Sequence, residues 1–201
     1  MKNKLLINKL KDNAELAMAA YGYFNLIGKR FEKKILKDID RESTSIITPT
    51  DILDMTYNKY IAVKSNPHKP DDEIKVGKLD GDMTPTQAKR FFSRYDLLIH
   101  QPNTESGFSA TLFGEKRKQR NTESKEISYT SKYGYINYIL AIRGTEPLNR
   151  GDIGADTSLI LRNLPKKQHL DMLLFYNQCI GNIPFYVERD SKEYIESRKV
   201  A

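Results

Sequence analysis

The chain has 201 residues, and 33 lysines and arginines against 26 aspartates and glutamates give it a formal net charge of +7. Its 12 tyrosines and 8 phenylalanines offer enough apolar area to exclude wholesale disorder. No apolar run approaches the roughly 18 residues of a membrane-spanning helix, and the single cysteine, Cys179, excludes an intramolecular disulfide framework and a multi-cysteine zinc site.

The N-terminal segment begins with a short apolar stretch at residues 5–7, which is too short for the apolar region of a signal peptide. A cytoplasmic location is therefore the default expectation, with signal-less export left open. Residues 13–39 then predict a first helix, with Asp12 or Asn13 as its N-cap and a possible break at Gly22 or Gly28. Its apolar face repeats at three- and four-residue spacing: Leu16, Ala20, Tyr23, Ile27, Phe31 and Ile35.

Two further helices share one start signal, a threonine followed by proline. Thr48-Pro49 and Thr84-Pro85 each place threonine at the N-cap and proline at the first helical position. Thr84 and Gln87 also form a capping-box pattern. We expect these helices to run to about residues 63 and 99, and the segment 65–83 between them, rich in Pro, Asp, Gly and Lys, to be a polar connection.

The second half of the chain changes to strand patterns. Residues 107–113 alternate apolar and polar side chains, and residues 126–131 predict a second strand. Residues 135–142 (YINYILAI) form a continuous β-branched and aromatic run, typical of a strand that is buried on both faces. Helical patterns follow at 153–162 and 167–180. This order predicts an α/β fold, divided into an N-terminal helical region (1–104), a core (105–181) and a charged tail (182–201).

Charged clusters in the sequence do not predict a specific ligand. The acidic runs at residues 71–73 and 80–82 lack the spacing of a calcium-binding loop, so we predict no metal site. The densest basic run, residues 116–120, is interpreted first as a solvated hairpin loop and second as a binding patch. No recognition helix or aromatic signature of a nucleic-acid-binding protein accompanies it.

The strand predicted at 135–142 ends in Arg143-Gly144-Thr145-Glu146. A central strand that ends in a turn with glycine and a hydroxyl residue places backbone amides at the carboxyl edge of a sheet, where open α/β folds bind ligands. Rigidly held amides of this kind are what an oxyanion hole requires. The next segment, residues 147–155, can cover or gate such a site.

This turn stands in a longer pattern. GFSATLFGEK precedes YINYILAIRGTE, and a loop with Asp152 and Asp156 leads to an amphipathic helix that ends in FYNQC. The arrangement resembles the class 3 (fungal-type) lipases, an α/β-hydrolase family with an apolar run followed by RG and Ser or Thr. The likeness covers residues 105–180 well and the first hundred residues loosely. It implies an incomplete α/β-hydrolase-like domain, with N-terminal helices before the first strands of a mixed sheet flanked by helices.

The resemblance also implies roles for particular residues. Thr145 would supply an oxyanion-hole amide, and Arg143 and Gly144 would shape the turn. Residues 146–155 would correspond to the lid-bearing segment that opens toward lipid, and Asp156 would be structural. No cofactor is implied, and the substrate of the complete protein would be a lipid or another acyl ester. The lid positions that we single out are Glu146, Pro147 and Asp152.

The family's catalytic nucleophile has no counterpart in the sequence. That serine lies in a GHSLG-like elbow on a later strand, and no G-x-S-x-G sequence follows Thr145. Ser109 comes nearest, but its segment lacks the second glycine, so we do not expect it to be the nucleophile. We expect Cys179 to be a buried small hydrophobe. The three histidines, expected at the surface or at helix ends, complete no Ser-His-Asp set: His68, His100 and His169.

Two hypotheses of function follow. In the first, the chain is the N-terminal part or a short form of a lipase or carboxylic-ester hydrolase and is inactive alone, whether as a truncated product, a broken gene product or a natural short form. An exposed edge at the strand 135–142 would then favour self-association. In the second, the chain is a non-catalytic basic module that binds an acidic partner, anionic lipid or nucleic acid.

Overall fold

The structure, a computed structural model, describes residues 2–32, 46–120, 126–144 and 166–185. The helices in these segments are α1 (Lys2–Ala19), α2 (Pro49–Leu53), α3 (Pro85–Arg94) and α4 (Lys166–Cys179). The strands are β1 (Arg30–Phe31), β2 (Ile61–Asn66), β3 (Lys69–Lys78), β4 (Tyr95–Gln101), β5 (Ala110–Glu115), β6 (Arg117–Arg120), β7 (Ile127–Thr130) and β8 (Asn137–Ile142).

The strands form three small sheets. One has the order β1-β2-β3, the second has the order β4-β5-β8, and β6 pairs with β7. Every pair between these strands is antiparallel. The predicted combination of helices and strands is therefore present, whereas the described strands do not form the mixed sheet that we expected. The second sheet also joins strands from both sides of residue 104.

The two Thr-Pro helix starts are confirmed. Thr48 and Thr84 are N-caps with complete capping boxes, closed by Asp51 and Gln87 respectively. In the second box, the Thr84 backbone N–H donates to Gln87 Oε1 at 3.0 Å. The predicted lengths are wrong, because α2 ends at Leu53 and α3 ends at Arg94, where strand β4 follows directly.

The largest correction concerns the segment 61–78, which is a β-hairpin. The second helix was expected to reach Val63, and residues 65–83 were expected to be a connection; instead β2 and β3 pair over most of their length. The β-branched Ile61 and Val63 suit a strand better than a helix. In β3 the charged residues obscure the strand pattern, because its side chains are mostly exposed or only partly buried.

The first helix also differs from the prediction. It begins at Lys2 and ends at Ala19, so Asp12 and Asn13 lie inside it and do not cap it. The chain turns after it, with Gly28 at φ 76°, and Phe31 belongs to β1. Of the predicted apolar residues that the structure describes, Leu16, Ala20 and Phe31 lie in the core, and Tyr23 and Ile27 pack against it. Residues 33–45, the later part of the predicted helix, lie outside the described segments.

In the second half, the strands near 127–130 and 137–142 and the helix near 166–179 are confirmed. The first predicted strand lies three residues later, in β5. The expected loop at the basic run is wrong for residues 117–120, which form the exposed strand β6, and Lys116 lies partly buried before it. β8 is not buried on both faces, since Tyr138 and Ile142 are 66% and 45% exposed. The predicted helix at 153–162 and most of the charged tail lie outside the described residues.

One hydrophobic core links α1, α2 and α3 to both three-stranded sheets. Its aromatic centre contains Phe24, Phe91, Tyr95 and Phe113, with ring centroids 4.8–5.9 Å apart in the pairs that touch. Arg94 of α3 ties the elements together at the rim, because its Nη2 donates to Asp12 Oδ2 at 2.8 Å and to Glu115 Oε1 at 2.7 Å. None of the helices within the described residues has the length and apolar content needed to cross a bilayer.

Candidate functional site

The Arg143 side chain fixes the end of β8 against the C-terminal end of α1. Its guanidinium group is almost fully buried, at 6% exposure for the whole residue, and its carbon lies 4.5 Å from the centre of the Tyr23 ring. A cation at the C-terminus of a helix also interacts favourably with the helix dipole. The guanidinium donates to three backbone carbonyls, at 3.3, 3.0 and 3.3 Å: those of Ala20, Tyr21 and Gly22.

The backbone at this point is also held from the sheet side. The Arg143 N–H donates to the Ser109 carbonyl at 2.9 Å, just before β5 begins. At the next position, a Cβ added to Gly144 would lie 2.6 Å from the Tyr21 hydroxyl oxygen. A side chain would therefore push Tyr21 away, so glycine permits the close approach. The backbone of Arg143 and Gly144 is therefore held on both sides by short contacts.

A cleft of about 430 Å³ lies beside Arg143, just after the end of β8. Asn103 and Arg143 both line the cleft, and Asn103 Oδ1 accepts from Arg143 Nη1 at 3.3 Å. Lys78 and Asp80 bring charges of opposite sign to the wall. The cleft thus offers amide, imidazole and charged groups next to the end of β8. Its polar lining includes Asn25, Lys78, Asp80, His100, Asn103 and Arg143.

His100 contributes a partly buried imidazole to this cleft. Its Nδ1 lies 2.8 Å from Thr111 Oγ1, and its ring packs edge-on against Phe24 at 5.5 Å. The buried Nε2 has no hydrogen-bond partner within the described part of the chain. Burial, followed by repulsion from the Arg143 charge, lowers the pKa of His100 to about 4. His100 is therefore neutral near pH 7, so that one ring nitrogen can donate a hydrogen bond and the other can accept one.

The structure describes only some of the expected site residues. Arg143 and Gly144 lie together at the end of β8, as their sequence order requires. Thr145, the expected oxyanion-hole residue, lies outside the described residues. So do Asp156 and the three lid positions Glu146, Pro147 and Asp152.

The structure places Ser109 and Cys179, which we did not expect to be nucleophiles, in surroundings that do not suit a nucleophile. Ser109 is fully buried, and its Oγ donates to the Gln101 carbonyl at 2.9 Å. Cys179 on α4 is partly buried and packs against the cluster of Phe108 and Phe175, and burial raises the pKa of its thiol. A thiol with a raised pKa holds less of the reactive thiolate form at neutral pH.

The other two histidines, His68 and His169, lie outside the cleft lining. His68 lies in the turn between β2 and β3, where its backbone N–H donates to Asn66 Oδ1 at 3.0 Å. His169 lies on α4. The expectation for His100 was wrong, because it lies within β4 and does not cap α3. Its strand could have been found from the apolar run Leu97–Ile99, which suits a strand as well as the end of a helix.

Comparison of the chain with protein-family models, with curated proteins and with solved structures found no match. The resemblance to class 3 lipases therefore rests on the sequence pattern alone, and the geometry around Arg143 has to be interpreted by its own chemistry.

Proposed function

We propose that this chain carries the oxyanion-hole part of a class 3 lipase-like acyl-ester hydrolase. In this proposal Thr145 gives its backbone N–H to the developing oxyanion, and a nucleophile elbow outside these 201 residues supplies the serine. The observation that supports it most is the backbone at Arg143-Gly144, which contacts hold from two sides. An oxyanion hole must hold its donors in place before charge develops, since donors that have to reorganise lose most of their effect.

The contacts of Arg143 restrain the backbone at the end of β8. A buried guanidinium that donates to three carbonyls cannot move without leaving those acceptors unsatisfied, which costs about 1–3 kcal/mol for each group. The position that directly precedes Thr145 is occupied by Gly144, which lies against Tyr21. The backbone entering residue 145 therefore starts from a restrained point.

The course of the chain around β8 gives further support. α4 follows β8 in sequence and packs back on the sheet through Phe175, which contacts Phe108. β8 is the outer strand of the described β4-β5-β8 sheet. A strand followed by a helix that returns to the same sheet is the start of a crossover to another strand, and in the proposal that next strand leads to the elbow.

The proposal predicts that the 201-residue chain is inactive by itself. Purified chain is treated with a fluorophosphonate probe beside a serine hydrolase of known activity, and each serine-containing peptide is examined by mass spectrometry. We expect no labelled serine and no turnover of p-nitrophenyl esters, because backbone amides without a nucleophile provide no covalent route. Labelling of any serine contradicts the proposal.

A second readout identifies the missing part. The coding sequence downstream of codon 201 should encode a GHSLG-like elbow, in frame or shifted in frame, and its absence would overturn the proposal. In the product extended by that segment, Thr145→Pro removes the backbone N–H while Thr145→Ala keeps it. We expect Thr145→Pro to lower kcat by about 100-fold or more relative to Thr145→Ala. Equal activity of the two variants would exclude the amide of residue 145 from catalysis.

A non-catalytic basic module is the second candidate function, and one observation favours it. Arg117, Lys118 and Arg120 are exposed along β6. Lys116, by contrast, is held by the Phe92 carbonyl and by Asp96. If the triple variant Arg117→Gln, Lys118→Gln, Arg120→Gln abolishes binding to DNA at physiological salt, this function is supported. No binding of the unmodified chain to DNA contradicts a nucleic-acid role.

A further inference from the structure

The first half of α1 exposes large apolar side chains. Leu5, Leu6, Ile7 and Leu10 are 63%, 59%, 64% and 60% exposed. Scattered exposed apolar residues are common on protein surfaces, but three of these four, Leu6, Ile7 and Leu10, lie within two helical turns on one side of α1 and form a contiguous apolar patch. Such a patch indicates an interaction surface.

The patch lies on the side of α1 that faces away from the protein. Leu6, Leu10, Ala14 and Ala17 follow each other at four- and three-residue spacing, so they share one face, which also includes Ile7. All of them are exposed. The helix therefore has two apolar faces, and only one of them packs in the core, through Leu16, Ala19 and Ala20.

The acidic residues of α1 are turned toward the protein. Asp12 binds Arg94 of α3, and Glu15 binds Arg90 of the same helix. These contacts orient the inner face of α1 and neutralise its carboxylates. Residues 2–11 contain no acidic residue. The first half of α1 therefore carries no negative side-chain charge.

Lysines flank the exposed apolar face on both sides. Lys4 and Lys11, seven residues apart, lie along one border of it, and Lys9 lies along the other. All three are exposed. An apolar stripe between two cationic borders is the pattern of a helix that lies in the plane of a lipid surface, where lysine stems extend and their ammonium groups reach the headgroups.

We propose that the Leu6–Ile7–Leu10 face of α1 binds anionic lipid surfaces. The charge pattern decides between possible occupants. A second copy of the chain packed on the same face would bring the two lysine borders together, with like charges opposed. Nucleic acid would engage the lysines but would leave the leucines in water. An anionic bilayer satisfies both, and this inference does not depend on the proposed hydrolase chemistry.

The first experiment is flotation of the full 201-residue chain with vesicles in a density gradient, which separates lipid-bound protein from aggregates. Vesicles of phosphatidylcholine are compared with vesicles that contain 30% phosphatidylglycerol, at 0.1 and 0.5 M salt. We expect binding to the anionic vesicles at 0.1 M salt, and weaker binding to neutral vesicles and at high salt, because salt screens the attraction.

Matched variants separate the two parts of the surface. The triple variant Leu6→Gln, Ile7→Gln, Leu10→Gln should reduce vesicle binding at least about tenfold, because the apolar area that inserts into the bilayer is lost. Its control is Leu170→Gln, Leu174→Gln, which removes apolar side chains of α4 that are 62% and 46% exposed. The triple variant Lys4→Gln, Lys9→Gln, Lys11→Gln should also reduce binding at least about tenfold. Its control is Lys64→Gln, Lys89→Gln, Lys132→Gln, which removes three exposed lysines outside α1 and β6. Both controls should bind like the unmodified chain.

A fluorescence experiment measures insertion directly. The sequence contains no tryptophan, so Ile7→Trp and Leu170→Trp each provide a single reporter, on α1 and on α4. We expect a blue shift of Ile7→Trp emission with anionic vesicles, and quenching by brominated acyl chains. Leu170→Trp should show neither.

Three outcomes would overturn the proposal. The first is no flotation of the unmodified chain with anionic vesicles at 0.1 M salt. The second is an equal loss of binding in the α1 variants and their controls, which would assign the effect to charge or apolarity in general. The third is a dimer in analytical ultracentrifugation that the Leu6, Ile7, Leu10 variant dissociates without any vesicle binding, which would assign the face to a second copy.

Discussion

The core around Phe91 and the cluster around Phe175 differ in how completely they are enclosed. Phe91 is 1% exposed and lies among the rings of Phe92, Tyr95 and Phe113, within a core that draws on α1, α2, α3 and both three-stranded sheets. Phe175 is also 1% exposed, but its cluster of buried residues in the described structure contains only Phe108 and Ala110 besides itself.

The surroundings of the smaller cluster show the same difference. On α4, Leu170, Leu173 and Leu174 are 62%, 41% and 46% exposed, and Tyr138 of β8 is 66% exposed. Among the described residues, the core around Phe91 is thus the more completely packed region. The cluster around Phe175 lies beside apolar side chains that no described residue covers. Self-association through the edge of β8 remains a prediction.

The sharpest way to break this comparison is to remove one phenylalanine from each region. Phe91→Ala should lower the free energy of unfolding by about 3–5 kcal/mol, because a rigid, enclosed site cannot collapse around the cavity. Phe175→Ala should cost less than half as much, since α4 can shift toward the sheet. Urea denaturation followed by circular dichroism measures both, and equal losses would show that the two regions are packed equally well.

Arg143 connects the two regions, and its removal should have the next largest effect. Arg143→Met leaves the carbonyls of Ala20, Tyr21 and Gly22 without their buried donor, so we expect a loss of about 3 kcal/mol. Arg143→Lys should recover only part of this, because an ammonium group lacks the planar set of donors. Arg117→Gln on β6 is the exposed control, with a change within about 0.5 kcal/mol. If Arg143→Met changes the free energy of unfolding as little as this control does, the guanidinium does not hold the end of β8 against α1.

Local signals in the sequence predicted the elements that local chemistry determines. The Thr-Pro starts of α2 and α3 and the Thr84–Gln87 capping box were found because the interacting groups lie within a few residues of each other. The continuous apolar run of β8 was also sufficient. The β2–β3 hairpin and β4 were missed because their strand structure depends on pairing with distant or strongly charged segments, and tertiary pairing overrides local propensity.

The sequence identified two residues of the candidate site but did not predict their contacts. The sequence singled out Arg143 and Gly144, but not that the arginine binds the end of α1, because its acceptors are backbone carbonyls about 120 residues earlier and carry no side-chain signature. His100 was placed at the end of a helix. Its position beside Arg143 depends on the pairing of β4 with β5, which no pattern within residues 84–101 reveals.

Lowering the pH should have a smaller effect on stability than Phe91→Ala or Arg143→Met. It acts on the larger core through His100. The ring contacts Phe24 in that core, and its pKa is lowered to about 4 by burial and by Arg143. The unfolded chain, with an ordinary histidine pKa of about 6.5, binds more protons between pH 6.5 and 4. Stability is therefore complete above about pH 6.5 and falls as the pH decreases toward 4, with a loss of about 2 kcal/mol by pH 5.

The matched variant for this test is His100→Asn, because its side-chain amide can replace Nδ1 in the contact with Thr111 and does not titrate. Urea unfolding of both proteins is measured from pH 7.5 to 4.5, and the difference between them cancels the carboxylates that titrate in the same range. We expect the unmodified chain to lose stability relative to His100→Asn as the pH falls below 6.5. Parallel curves would mean that His100 is protonated as easily in the folded state as in the unfolded one, and that the cleft beside Arg143 is open to solvent.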